Sequence, residues 1–306
     1  MKQQEFYEQI RQVTEEFLGK DYHVGLSQIQ KVGFGTLDIL LIRENEQLIM
    51  PTIYLQDYYI RFQQGEEVQT LTKDIVAEYV QKSKYQEKVM EDLDFLNQKE
   101  QIEQTIFFRC VSAKQVPLSI PYRKMLDFSM VYGILINQQK DTTTFITITE
   151  KFREEYGWTE EELYQLSMKN TCRLFPEQVQ SMVEILSREF PDMADALEDD
   201  TIGCTVVSNR FNFYGFSVIF YSGVLARLAE EKGGNLIIIP SSVHEALVLV
   251  DKGMVDTAEI NQTIWFVNHT QVLKEEQLSN QAYYYDRETK ELYFMEDVKK
   301  GEQAYV

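Results

Sequence analysis

The stretch from Tyr214 to Val250, YGFSVIFYSGVLARLAEEKGGNLIIIPSSVHEALVLV, constrains the fold more than any other part of the chain. Ser217 to Tyr221 is a short run of β-branched and aromatic residues, which predicts a strand. Leu225, Leu228 and Ala229 then repeat at helical spacing, and Gly233-Gly234 stops that helix where a left-handed residue is wanted. Leu236 to Ile239 is a four-residue apolar run bounded by turn residues, as in a strand buried on both faces. The predicted unit is therefore strand, helix, strand, followed by a tight corner at Pro240-Ser241-Ser242-Val243-His244-Glu245.

Flanking segments extend the pattern. Phe6, Ile10, Val13 and Phe17 make an amphipathic helix ended by Gly19. Strand-like segments follow at Gly25–Val32, Leu37–Arg43 and Gln47–Thr52. Tyr54, Tyr58 and Phe62 then read as one helical face, and Glu66 to Lys84 as a further helix. Thr105 to Val111, Met130 to Asn137 and Thr143 to Thr149 read as strands, the last two as a hairpin. Thr159 with Glu162 forms a capping box at the start of a helix, and Pro176 opens another carrying Val179, Met182, Val183 and Leu186. Asp192 to Asp200 reads as an acidic loop. Thr205 to Asn209 is a strand, Asp256 to Thr270 a helix, and Ala282 to Phe294 a β-hairpin around a polar turn. The fold class is α+β, with a small N-terminal unit at residues 1–85, a connecting helix at 86–104 and a larger mixed unit at 105–306.

Charge and cysteine usage narrow the functional classes. A formal net charge of −19 repels phosphate backbones and anionic lipid, so neither nucleic acid nor a membrane surface is an expected partner. No window is apolar enough to span a bilayer and the first residues are polar, which makes the cytoplasm the expected location. Cys110, Cys172 and Cys204 have no metal-ligand or disulfide spacing and read as buried reduced thiols. No cofactor loop is present: Gly33-Phe34-Gly35 lacks the third glycine and the lysine of a phosphate cradle, and reads as a bent strand.

Three histidines limit where acid–base chemistry can sit. The sharpest cluster is Ser242, His244 and Glu245, in which a serine nucleophile, a base and an orienting acid lie close in sequence, but without a GxSxG elbow. The competing explanation is that Ser242 and Glu245 form a helix-capping S-x-x-E pair. His244-Glu245 lacks the second histidine of HExxH, so no metal is expected. Tyr54, Tyr58 and Tyr284, with Asn268, are candidate binding residues, since tyrosine offers large contact area at low entropy cost; packing at core margins, with the hydroxyl at the rim, is the preferred reading of the tyrosines.

Five segments together resemble a known family. PTIYLQDYY, PYRKMLDFSMVY, WTEEELYQLSMKNT, the Tyr214–Val250 stretch and FVNHTQVLKEEQLSNQAYYYDRETKEL look like the bacterial domain-of-unknown-function family 5688, with a more distant likeness to family 1444. The resemblance implies a Firmicutes origin and a family pattern that includes the SSVHE corner, Asn268 and LSNQAYYYD. It implies no activity, cofactor or partner. It departs at Tyr122, where relatives often carry histidine, so a catalytic role is not expected there. The function expected is that of a non-enzymatic cytosolic binding or regulatory protein, with a possible protein partner. A hydrolase using Ser242, His244 and Glu245, with Glu245 or Asn268 orienting the base, is the alternative. An acidic decoy for DNA-binding proteins is the third.

Overall fold

The computed structural model describes residues 1–31, 35–44, 51–91, 98–139, 142–190 and 203–298. The chain divides into two compact units, Met1–Asn97 and Gln98–Val306. The helix through the expected N-terminal boundary runs on to Glu91, and a separate short helix begins at Lys99. Gly33, Phe34, residues 47–50 and the 192–200 segment lie outside the described residues, with the expectations attached to them.

In the first unit, α1 (Gln3–Leu18) is followed by β1 (Tyr22–Lys31), β2 (Gly35–Glu44) and β3 (Thr52–Tyr54), an antiparallel sheet in that order. Helices α2 (Gln56–Gln63) and α3 (Val68–Glu91) complete it. Phe6 and Ile10 of α1 enter a core with Leu40, Ile42, Leu71 and Ile75. The expected stripe fails at its end, because Phe17 is exposed. Tyr54 is not on a helix with Tyr58: it closes β3, opposite Ile39.

The second unit holds two sheets. After α4 (Lys99–Glu103) come β4 (Ile106–Ser112), β5 (Tyr122–Met125), β6 (Phe128–Gln139) and β7 (Thr142–Thr147). The long β6 pairs with β4 along one edge, and with β5 and then β7 along the other. Helices α5 (Glu150–Glu155) and α6 (Glu160–Leu174) follow. The expected capping box starts α6: Thr159 Oγ1 accepts from Glu162 N at 3.1 Å, and Glu162 Oε2 accepts from Thr159 N at 2.7 Å. Next come β8 (Glu177–Ser181), α7 (Met182–Glu189), β9 (Thr205–Asn209), α8 (Val224–Lys232), β10 (Leu236–Ser242), β11 (Glu245–Val250), α9 (Thr257–Thr270), β12 (Tyr283–Tyr285) and β13 (Leu292–Phe294). Six of these strands form a sheet in the order β13-β12-β10-β11-β9-β8, every pair antiparallel.

Three local expectations are corrected. Residues after Pro176 enter β8, where Val179 pairs with Val207, and the helix waits for a second capping box at Ser181 and Glu184. Glu245 begins a strand, so Ser242 and Glu245 cap no helix; they pair across a two-residue hairpin loop, Val243-His244. Gly215–Phe220 is a 3₁₀ helix, so the strand ahead of α8 is Thr205–Asn209.

That 3₁₀ segment has a physical reason to abandon extension. β4 is an edge strand with buried N–H groups that need partners. Two hydroxyls supply them: Thr171 Oγ1 of α6 accepts from Phe108 N at 3.1 Å, and Ser217 Oγ accepts from Cys110 N at 3.0 Å. The segment and α6 thus each cap one N–H of this edge with a side chain, in place of a fifth strand. Replacing Ser217 with alanine is expected to strand the Cys110 N–H and cost about 1–3 kcal/mol of stability. Urea unfolding of the two proteins measures it, and unchanged stability would mean the bond contributes nothing.

The thiols differ in setting. Cys110 is buried, and burial pushes its pKa up to about 12. Cys172, expected to be buried, is exposed on α6. No described helix is long and apolar enough to cross a membrane.

Candidate functional site

The corner after Pro240 projects its polar groups in different directions. Pro240 stands where the ladder is already interrupted: β12 pairs β10 only as far as Ile238, and the pairing with β11 shifts register between Pro240 and Ser242. Strand alternation sends Ile237 and Ile239 to one face of the sheet, and a register shift between Pro240 and Ser242 then interrupts the alternation, so that Ser242 lies opposite Glu245. Ser241 Oγ donates to Glu245 Oε1 at 3.0 Å, while Ser242 Oγ accepts from the His244 main-chain N at 3.0 Å.

His244 is held by the loop that follows β9. Its Nδ1 lies 2.7 Å from the Asn212 carbonyl oxygen and 3.4 Å from Tyr214 N. The shorter contact is to a group that only accepts, so Nδ1 carries the proton and donates. Nε2 faces Glu276 Oε1 at 3.6 Å. The loop is tightly made: Asn209 Oδ1 accepts from Phe211 N and Phe213 N, and Ser208 Oγ donates to the His244 carbonyl at 2.7 Å. Asn212 and Tyr214 adopt left-handed conformations at φ 50° and 47°, uncommon for residues with side chains. Ser242, His244 and Glu245 are therefore neighbours in the chain whose functional groups bond elsewhere: Ser242 to main chain, His244 to the loop, Glu245 to Ser241.

The same loop covers a group that sequence reasoning passed over. Arg109, in the middle of β4, is 2% exposed. Its Nη2 donates to Thr147 Oγ1 at 2.9 Å, and its guanidinium carbon lies 5.1 Å from the ring centres of both Phe145 and Tyr214. Nε and Nη1 are buried without a partner. Burial pulls this pKa below the usual arginine value, with the Tyr214 hydroxyl acting in the opposite sense. The signal was legible as a lone cation inside the apolar run IFFRCV.

The face that receives Ser241 forms one wall of a cleft of about 510 Å³. Ile239, Leu247 and Leu249 line it from the sheet, and Ile260, Ile264 and Val267 line it from α9, with Met254 and Val255 near its entrance. The helix stripe arises from i, i+4, i+7 spacing, and Asp256 starts the helix by accepting from Glu259 N at 3.0 Å. Asn268 also reaches the cleft, being 2% exposed, and its Nδ2 donates to Ser279 O at 2.8 Å and Asn280 Oδ1 at 2.7 Å. Tyr284 lies behind this wall in a core cluster with Ile237, Ile264, Ala282 and Met295, its hydroxyl accepting from Asn235 Nδ2 at 2.8 Å. A second hollow of about 550 Å³ beside Trp158 is lined largely by lysine and glutamate side chains.

Tyr54 and Tyr58 belong to the first unit. Lys82 Nζ lies 5.6 Å from the Tyr54 ring centre. Tyr58 is buried and donates to Glu78 Oε2 at 2.6 Å; burial first, then Glu78, pushes its pKa well up. No described group of three or more His, Cys, Asp or Glu residues could hold a metal ion.

Fold and site together define an α+β protein with an apolar cleft between a hairpin and a helix, and among the described residues Ser242, His244 and Glu245 do not assemble into an acid–base set beside it. The chain belongs to the Family of unknown function (DUF5688), whose model matches residues 3–287. No curated protein and no solved structure matches it.

Proposed function

We propose that the second unit is a small-molecule binding module that holds an apolar ligand between the β10–β11 hairpin and α9. The observation that carries this is the cleft's lining: apolar walls from two secondary-structure elements enclose about 510 Å³, within the range of ligand sites. Binding is favoured over turnover because Ser241, the only serine among the described residues lining the cleft, donates its hydrogen bond to Glu245, while His244 is engaged by Asn212. A serine hydrolase would need the Ser242 hydroxyl against the His244 ring, and that hydroxyl instead accepts a main-chain N–H.

Calorimetric titration with 1-decanol tests the proposal. Wild type is expected to bind one equivalent, Ile260→Trp to lose binding by filling the cleft, and His244→Ala, provided it folds, to retain it. Equal binding by wild type and Ile260→Trp, or none by wild type, would sink the idea.

A further inference from the structure

The cleft's polar side chains share a property that selects among apolar ligands, provided the cleft is the binding site argued above. Their protons are already committed. The Ser241 hydroxyl donates to Glu245, and the Thr263 hydroxyl donates to the Glu259 carbonyl at 3.0 Å. Both amide protons of Asn268 are taken, by Ser279 O and Asn280 Oδ1. Asp256 and Glu259, the remaining polar lining residues, are carboxylates, which when ionised only accept. Among the described residues no lysine, arginine or histidine lines the cleft. Its walls are apolar and its polar side chains present acceptors alone.

A ligand carboxylate would bring more acceptors to a site whose side chains offer it no proton, and would face two like charges. A hydroxyl could donate one hydrogen bond. A protonated amine supplies three donors and a positive charge, which answers both deficits at once. We propose that the natural ligand is an apolar amine, an alkyl or aryl body carrying a protonated amino head placed against Asp256 and Glu259 at the N-terminal end of α9. This placement opposes the helix dipole, whose positive end disfavours a cation by a fraction of what two carboxylates supply. Binding is therefore expected to weaken as salt rises, because both carboxylates sit at the exposed mouth.

The experiment compares three ligands with one tail, decylammonium, decanoate and 1-decanol, titrated below their micellar concentrations at pH 7. Decylammonium is expected to bind one-to-one and at least about tenfold more tightly than decanoate. Asp256→Asn/Glu259→Gln, which keeps a capping side chain at position 256, is expected to lose most of that preference, with 1-decanol, which carries no charge, weakened far less than decylammonium. Decanoate binding as tightly as decylammonium, or an unchanged preference in the double variant, overturns the amine assignment and leaves the cleft as an apolar site. Decylammonium binding that survives Ile260→Trp is attraction to the acidic surface and also overturns it. Failure of all three ligands to bind removes the binding proposal itself, and this one with it.

Discussion

Replacing Arg109 with methionine is expected to make the protein more stable, by about 1–4 kcal/mol in urea unfolding. Losing a charge from a core normally destabilises, because the group left behind has lost its partner. Here the charge itself is the group without one. Among the described residues Nε and Nη1 are buried and unbonded, and the only hydrogen-bond partner of the guanidinium is the Thr147 hydroxyl. The two flanking rings recover part of the desolvation, on the order of 2 kcal/mol for a buried cation–π contact. Removing a guanidinium from water costs more than that, which agrees with the downward pull on its pKa. Methionine keeps the length and fills the slot between Phe145 and Tyr214 with a flexible apolar chain. A loss of stability in Arg109→Met would show that the stacked cation organises the loop around Tyr214.

What the sequence revealed and what it concealed follow one division. Features set by neighbours in the chain were legible. The Thr159–Glu162 box needs only four residues, and the Gly233 stop needs one left-handed position, found at φ 73°. The apolar runs of β9 and β10, and the hairpin of β12 with β13, announce themselves by residue type. Features set by partners far along the chain were not. FSVIF has the composition of a strand, yet its serine is required at the edge of β4, 107 residues earlier. EQVQS follows a proline that suits a helix start, but Val179 finds Val207. Tertiary pairing overrides local preference in both cases. The SSVHE corner drew notice because three reactive residue types lie within four positions, and their functional groups take different hydrogen-bond partners. Nothing in the spacing of Ile239, Leu247 and Ile260 marks them as walls of one cleft, because that depends on how α9 lies against the hairpin.

The corner's real constraint is steric, and it produces the largest expected loss. Gly215 sits where the 3₁₀ segment passes the β10–β11 turn. A Cβ added there would lie 2.3 Å from the His244 carbonyl oxygen, 2.1 Å from Ser208 Oγ and 2.9 Å from Asn209 N. Ser208 could rotate, but the two main-chain atoms cannot withdraw without moving the hairpin or β9. Both are anchored: in the hairpin, Phe216 N donates to the Val243 carbonyl at 3.2 Å and Val243 N to the Glu276 carbonyl at 2.8 Å, and β9 is paired by β11 on one side and β8 on the other. Gly215→Ala is therefore expected to cost at least about 3 kcal/mol, at the upper end for an added methyl group. Gly234→Ala is the matched control. Its new Cβ would meet only Val250 Cγ2 at 2.7 Å, a methyl at the end of a rotatable side chain. Thermal or urea unfolding of the two variants separates close backbone approach from ordinary crowding. Near-equal stabilities would mean that the hairpin can retreat from the 3₁₀ segment at little cost. In that case the bonds from His244 to Asn212 and from Ser208 to the His244 carbonyl are not the fixed fastening inferred for this corner.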